Sequence, residues 1–167
     1  MGMSPGRSIR HIATLQELLG LEREVITAYR LAIDNIVDEP MTRDTIESFH
    51  ADQLRHVREF EKMLRSLGAA STPAQRRPLL IREATSFARA AGTTEVLELL
   101  RKNEELVVRR YQEALHADLP EHVANLVRTA CNDQLRHRAW IAARVDAFTR
   151  NNQFLSSRPR ESRPSIH

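Results

Sequence analysis

Four stretches of this chain set their inward side chains at alternating intervals of three and four residues, and that rhythm leaves few folds open. Leu15, Leu18, Val25, Ala32 and Ile36 keep it in the first stretch, and Ile46, Phe49, Phe60, Met63 and Leu67 in the second. Leu97, Leu100, Val107 and Ala114 keep it in the third, and Val123, Val127, Ala130 and Ile141 in the fourth. A strand facing a core repeats every second residue, so each stretch reads as a helix with one apolar seam. Four such seams are buried by facing one another, which predicts an all-α four-helix bundle. With 167 residues the chain is long enough for one such core and short for two. A 28% charged and 5% aromatic composition suits long, charge-covered helices better than packed sheets.

Breaks in the pattern divide the bundle. Thr14 and Glu17 have capping-box spacing, although a start nearer Ser8 also fits. Asp38-Glu-Pro40 closes the first helix, and Pro40 suits the first turn of the second. Gly68 stops the second helix, Gly92-Thr-Thr-Glu95 opens the third, and Asp118-Leu-Pro120 closes it. The connection from Ala69 to Ala91 is too long for a tight turn. It is expected to run the length of the bundle and to carry one short helix over 79–91. The expected organisation is a flexible arm at 1–8, a bundle at 9–150 with an internal repeat (14–67 and 94–148), and a basic disordered tail at 151–167.

The repeat is literal at one point. Asp52-Gln-Leu-Arg-His56 returns as Asp133-Gln-Leu-Arg-His137, 81 positions on. Within each copy Gln and His stand three apart and share a helix face. Glu22 and Tyr29 correspond in the same way to Glu104 and Tyr111, seven apart in both hairpins. The apolar seam therefore admits Glu22, Gln53, His56, Glu104, Gln134 and His137 at matching levels. A lone carboxylate in such a core costs several kcal/mol unless it is neutralised, paired or metal-bound. Asp52 and Asp133 lie about 100° around the helix from their Gln neighbours and are expected to face outward, toward Arg55 or Arg136. His50, His116 and His122 read as surface residues, and the tyrosines as packing residues with a bonded hydroxyl. Trp140 sits off the seam, Phe60, Met63 and Phe148 read as core, and Cys131 as a small helix-packing residue.

Glu-x6-Tyr on one helix, followed on the next by a pair three apart ending in His, resembles the ferritin-like superfamily, rubrerythrins and bacterioferritins included. The phrases Glu24-Val-Ile-Thr-Ala-Tyr29 and Tyr111-Gln-Glu-Ala-Leu-His-Ala-Asp-Leu-Pro120 look like a bacterial ferritin-like family of unknown function. This resemblance implies a bundle with one long crossover, and a dimetal site built from one Glu on each of two helices and Glu-x-x-His on each of the others. Carried over, Glu22 and Glu104 take the single-Glu places, and His56 and His137 the histidine places. Gln53 and Gln134 stand where that pattern has its bridging Glu. Two carboxylates instead of four leave little anion to balance two metal ions, which disfavours oxygen-activating chemistry. Two readings stay open. One is a single Fe, Mn or Zn ion with the Gln amides as outer partners or weak ligands, in stress response or metal homeostasis as the resemblance implies. The other is a metal-free helical interaction protein whose Glu, His and Gln form a closed hydrogen-bonded network. Whether the chain is an enzyme stays open in both.

Other classes recede. No glycine-rich phosphate loop, nucleophile elbow or paired-cysteine motif is present. The 25 basic and 22 acidic residues are interleaved, and only Ser157-Arg-Pro-Arg-Glu-Ser-Arg-Pro164 is distinctly basic, which argues against a nucleic-acid partner; a DNA-associated protein resembling the DNA-protecting ferritin relatives, resting on the arm and tail, is the third class in view. No apolar run approaches the roughly 18 residues of a membrane span. A cytoplasmic protein, homodimeric through a leftover apolar stripe, is the expectation.

Overall fold

The computed structural model describes residues 5–74 and 77–156, with the side chains of residues 5–8 left aside. Residues 1–4 and the basic run at 157–164 lie outside the described residues. The described chain is α1 (Pro5–Asn35), α2 (Pro40–Ser66), a five-residue α3 (Ala84–Ala88), α4 (Thr93–Leu115) and α5 (Glu121–Ser156). Four long helices and a crossover carrying one short helix make an all-α ferritin-like bundle.

The local signals act where the sequence puts them. Pro40 opens α2, where the missing N–H takes no intrahelical bond. Gly68 adopts φ +70° and closes α2, with Ala69 N–H on the Leu64 carbonyl at 2.9 Å and Gly68 N–H on that of Arg65 at 3.0 Å. This is a left-handed C-terminal turn that a side chain at 68 would strain. Gly92, at φ +94°, precedes α4, and Glu95 reaches back to the Ala91 N–H at 2.7 Å.

Some boundaries differ from expectation. Helix α1 begins at Pro5, and Thr14 sits inside it with its hydroxyl on the Arg10 carbonyl at 3.0 Å. Helix α5 runs on to Ser156, and Arg144 ties it to the start of α2 through Glu39 and Thr42, both at 3.0 Å. On α2 the buried residue near the C-terminal end is Leu64, while Met63 and Leu67 are half-buried, so the seam drifts by one position there. A strict 3.5-residue alternation outruns a helix of 3.6 residues per turn.

Helices α1 and α2 form one hairpin, α4 and α5 the other, and α1 packs on α4 as α2 packs on α5. The crossover climbs along α1. Ala74 N–H meets the Gln16 carbonyl at 3.0 Å, and Glu24 Oε2 accepts the N–H groups of Leu79 (2.8 Å) and Leu80 (3.0 Å). Buried Asn103 on α4 then accepts the Ile81 N–H at 2.7 Å and donates to the Ile81 carbonyl at 2.8 Å. These bonds commit 79–81 to side-chain partners rather than to a helical ladder. The short helix is therefore confined to Ala84–Ala88, not spread over 79–91.

Asn103→Ala removes both bonds to Ile81 and strands its N–H and carbonyl at the edge of the core. A loss of about 2–3 kcal/mol in urea unfolding is expected, with faster proteolysis within 70–83. Unchanged stability and cleavage would mean that the crossover is held without Asn103, by the Glu24 bonds and the burial of Leu80 and Phe87.

Candidate functional site

All six polar seam residues are buried midway along the bundle, each at most 2% exposed. The hairpin repeat places them as counterparts across a pseudo-twofold relation, and the bonds follow it. Tyr29 donates to Glu104 Oε1 at 2.7 Å, and Tyr111 donates to Glu22 Oε1. Each tyrosine thus serves the carboxylate of the other hairpin. Because Glu22 meets Tyr111 while Tyr29 meets Glu104, α1 and α4 run antiparallel.

At the centre Gln53 and Gln134 form a reciprocal amide pair. Gln53 Nε2 donates to Gln134 Oε1 at 3.0 Å, and Gln134 Nε2 donates to Gln53 Oε1 at 2.8 Å. The second N–H of each amide goes to a different place. Gln134 donates it to Glu22 Oε1 at 2.8 Å, and Gln53 donates it to His137 Nδ1 at 3.2 Å. All four amide N–H groups are engaged, which fixes the orientation of both amides.

The outer ring nitrogens face Asp52 and Asp133, which do more than sequence reasoning assigned to them. They do pair with Arg55 and Arg136, as expected. Arg55 bonds Asp52 at 2.7 Å and Asp133 at 2.6 Å, and Arg136 bonds Asp52 at 2.7 Å and Asp133 at 3.0 Å. They are not purely outward, however. Asp133 Oδ2 lies 3.1 Å from His56 Nε2, and Asp52 Oδ2 lies 3.0 Å from His137 Nε2. A four-charge ring on α2 and α5 therefore orients both imidazoles, each through the aspartate of the other hairpin. A carboxylate on the outer nitrogen fixes the tautomer and turns the inner nitrogen toward the core.

The two histidines nevertheless carry different charge. Burial pushes the His137 pKa down to about 4, against the pull of Asp52. Its Nδ1 accepts from Gln53 and its Nε2–H donates to Asp52, the pattern of a neutral ring. Burial also opposes charge on His56, but Glu22 and Asp133 outweigh it and raise its pKa. His56 Nδ1 lies 3.5 Å from Glu22 Oε2, an ion pair with a long contact. Burial raises the Glu104 carboxyl to about 8, the Tyr29 hydrogen bond notwithstanding, so it is held neutral near pH 7. Burial and the neighbouring glutamates raise both tyrosine hydroxyls, which stay donors.

Three buried side-chain atoms of this layer lack a hydrogen-bond partner: Glu22 Oε2, Glu104 Oε2 and His56 Nδ1. In each of these residues the companion atom is hydrogen-bonded, and two of the three, Glu22 Oε2 and His56 Nδ1, face each other at 3.5 Å. Among the described residues no three His, Cys, Asp or Glu side chains are gathered closely enough to hold an ion as they stand.

The neighbouring residues sort simply. Phe49 stacks on His137 with centroids 4.1 Å apart, and Trp140 meets Phe49 edge-on at 5.5 Å, so Trp140 borders the site. His116 and His122 are exposed and His50 half-buried, while Cys131 is buried in the core. Sequence reasoning passed over His11, whose Nε2 lies 2.7 Å from the Asp118 carbonyl and ties α1 to the α4–α5 turn. Its only signal was its place four residues before Leu15 on the same face.

No family model matches the chain, and no curated protein matches it. A solved structure does: a ferritin-like, diiron-carboxylate protein from Bacillus anthracis str. Ames. It is 19% identical, with a TM-score of 0.64, over 86% of this chain and 99% of that one. At that identity the likeness establishes the fold, which is ferritin-like. Among the described residues no helix is long and apolar enough to cross a membrane.

The titrations give a pH dependence for the chain kept in chelator. Glu104 holds its proton in the fold up to about 8, against 4.5 in the open chain, so stability declines as pH rises between those values. His56, with its raised pKa, adds a decline above 6.5. His137, lowered to about 4, adds a rise between 4 and 6.5 that offsets the early part of the decline. Melting temperature is expected to be nearly level from about pH 5 to 6.5 and to fall from there to 8, with Glu104→Gln flattening the fall. A Glu104→Gln profile as steep as that of the unaltered chain would place the titration elsewhere. Tyr29→Phe, which strips Glu104 of its donor, is expected to cost about 1–3 kcal/mol in the same assay.

Proposed function

We propose that this protein binds one divalent cation at the centre of its ferritin-like bundle, on Glu22, His56 and Glu104, and takes part in metal handling or a stress response with little or no redox turnover. The observation that carries this is the set of orphaned inner atoms, Glu22 Oε2, His56 Nδ1 and Glu104 Oε2, each on a side chain whose other polar atom is held. Two carboxylates and an imidazole are a competent donor set for Fe(II), Mn(II) or Zn(II) once Glu104 and His56 give up their protons to the incoming ion. Asp133 behind His56 is the outer partner that such a histidine ligand needs.

A dimetal centre of the diiron-carboxylate kind does not fit these residues. Its pattern calls for four glutamates, and Gln53 and Gln134 occupy two of those places with their amides bonded to each other. When bound, the single ion supplies a Lewis-acidic centre. The chain's own residues do the rest: Tyr29 and Tyr111 hold the carboxylates by their Oε1 atoms, Asp133 holds His56, and Phe49 with Trp140 shields the layer from water.

A second reading is supported by charge. Glu22 with His56 forms an ion pair, Glu104 and His137 are held neutral, and Asp52 and Asp133 balance Arg55 and Arg136. The layer thus neutralises itself without an ion, as a helical interaction protein would need.

Metal analysis of untagged protein, with Mn(II), Fe(II) and Zn(II) titrated by calorimetry, separates the two. One equivalent is expected, lost in Glu22→Gln and His56→Ala and retained in His137→Gln. No binding by any of these ions would leave the metal-free reading. In that case His56→Ala should still destabilise the chain by about 3–5 kcal/mol, since it leaves a buried carboxylate unpaired.

A further inference from the structure

We infer that the Gln53–Gln134 amide pair sets the metal stoichiometry of this bundle at no more than one, acting as an uncharged clasp between the hairpins where a dimetal centre needs two acidic bridges. The inference deepens the single-ion reading and rests on the same layer, but on different residues and a different observation.

The pair joins α2 to α5 at the middle of the bundle, and both amides are fully buried. Its hydrogen bonds are complete on the donor side: Gln53 gives its two N–H groups to Gln134 Oε1 and His137 Nδ1, and Gln134 gives its two to Gln53 Oε1 and Glu22 Oε1. Each carbonyl is occupied by the N–H of the opposite amide. A neutral amide oxygen that already accepts an N–H is a weak ligand for a hard cation, and turning either amide to face one breaks two bonds of the clasp at once. An N–H on His137 Nδ1 also removes that nitrogen as a ligand, because its lone pair is already spent. What survives is Glu22, His56 and Glu104, whose Oε2, Nδ1 and Oε2 atoms have no hydrogen-bond partner.

Replacing the pair with acids reverses each condition. Two buried carboxyls at hydrogen-bond distance share one proton, and the second ionises only at raised pH. Two carboxylates instead supply the bridging anions that the layer lacks.

The test uses the full chain and compares it with the Gln53→Glu/Gln134→Glu double variant, and with Gln53→Glu alone. Thermal unfolding is followed from pH 5 to 8 in chelator and with added Co(II), whose binding is counted by calorimetry and visible absorption. The double variant is expected to lose roughly 10 °C more than the unaltered chain over that pH range in chelator. It is also expected to regain that loss with Co(II) and to bind two equivalents. The unaltered chain should bind no more than one. Should the double variant fail to fold in chelator, Gln53→Glu alone must still show a larger Co(II) stabilisation than the unaltered chain. Two Co(II) ions bound to the unaltered chain would overturn the inference. So would a double variant whose pH profile and Co(II) count match those of the unaltered chain, or an unchanged Co(II) response in the single variant if the double variant does not fold. An unaltered chain that binds none beside a double variant that binds two would refute the single-ion reading and leave the clasp standing. One ion in both would refute the clasp and leave the single-ion reading.

Discussion

The middle of the bundle is held by polar bonds that cross from one hairpin to the other. Tyr29 to Glu104, Tyr111 to Glu22, Gln53 to Gln134, His56 to Asp133 and His137 to Asp52 all join a residue of 5–66 to one of 93–156. Apolar packing gives little preference among sliding positions, because one Leu or Val contact resembles the next. Buried donors and acceptors must meet specific partners, since leaving one unpaired costs about 1–3 kcal/mol. A slip of one helical turn would unmake most of these bonds together. The layer therefore fixes the register of the hairpins, and the apolar seams above and below it supply the bulk of the burial.

That division explains which parts of the structure were legible in the sequence. The seams, Pro40, Gly68 and Gly92 act locally, through periodicity or backbone geometry, and local causes can be read along a chain. The six polar seam positions were legible for the same reason: Glu, Gln and His at matching levels of an apolar stripe must be buried together. Their partners were not. Seam position gives the face of Tyr29 but not whether its hydroxyl bonds Glu22 or Glu104, which depends on the helix packed opposite. Asp52 and Asp133 show the limit most clearly. A turn of about 100° from the Gln neighbours placed them off the seam, yet the α2–α5 contact is wide enough to cover that flank. Their Arg partners were foreseen and their His partners were not. The crossover was over-read as helix because Glu24 and Asn103, distant in sequence, bind the backbone at 79–81.

The same layer shows how a repeated sequence yields unequal halves. The pentads at 52–56 and 133–137 are identical, and their bonds to tyrosine, aspartate and arginine are paired. The reciprocal amide pair uses one N–H from each glutamine and leaves one from each to be placed. Gln53 places it on His137 Nδ1, and Gln134 places it on Glu22 Oε1. The protons are distributed unequally as well. His137, whose pKa burial pushes down to about 4, stays neutral, while His56, with Glu22 and Asp133 outweighing its burial, is drawn toward the charged form. Glu22 receives Tyr111 and Gln134 and faces His56. Glu104, receiving only Tyr29, keeps its proton. The broken symmetry thus leaves one ion pair, Glu22 with His56, while their counterparts Glu104 and His137 are held neutral.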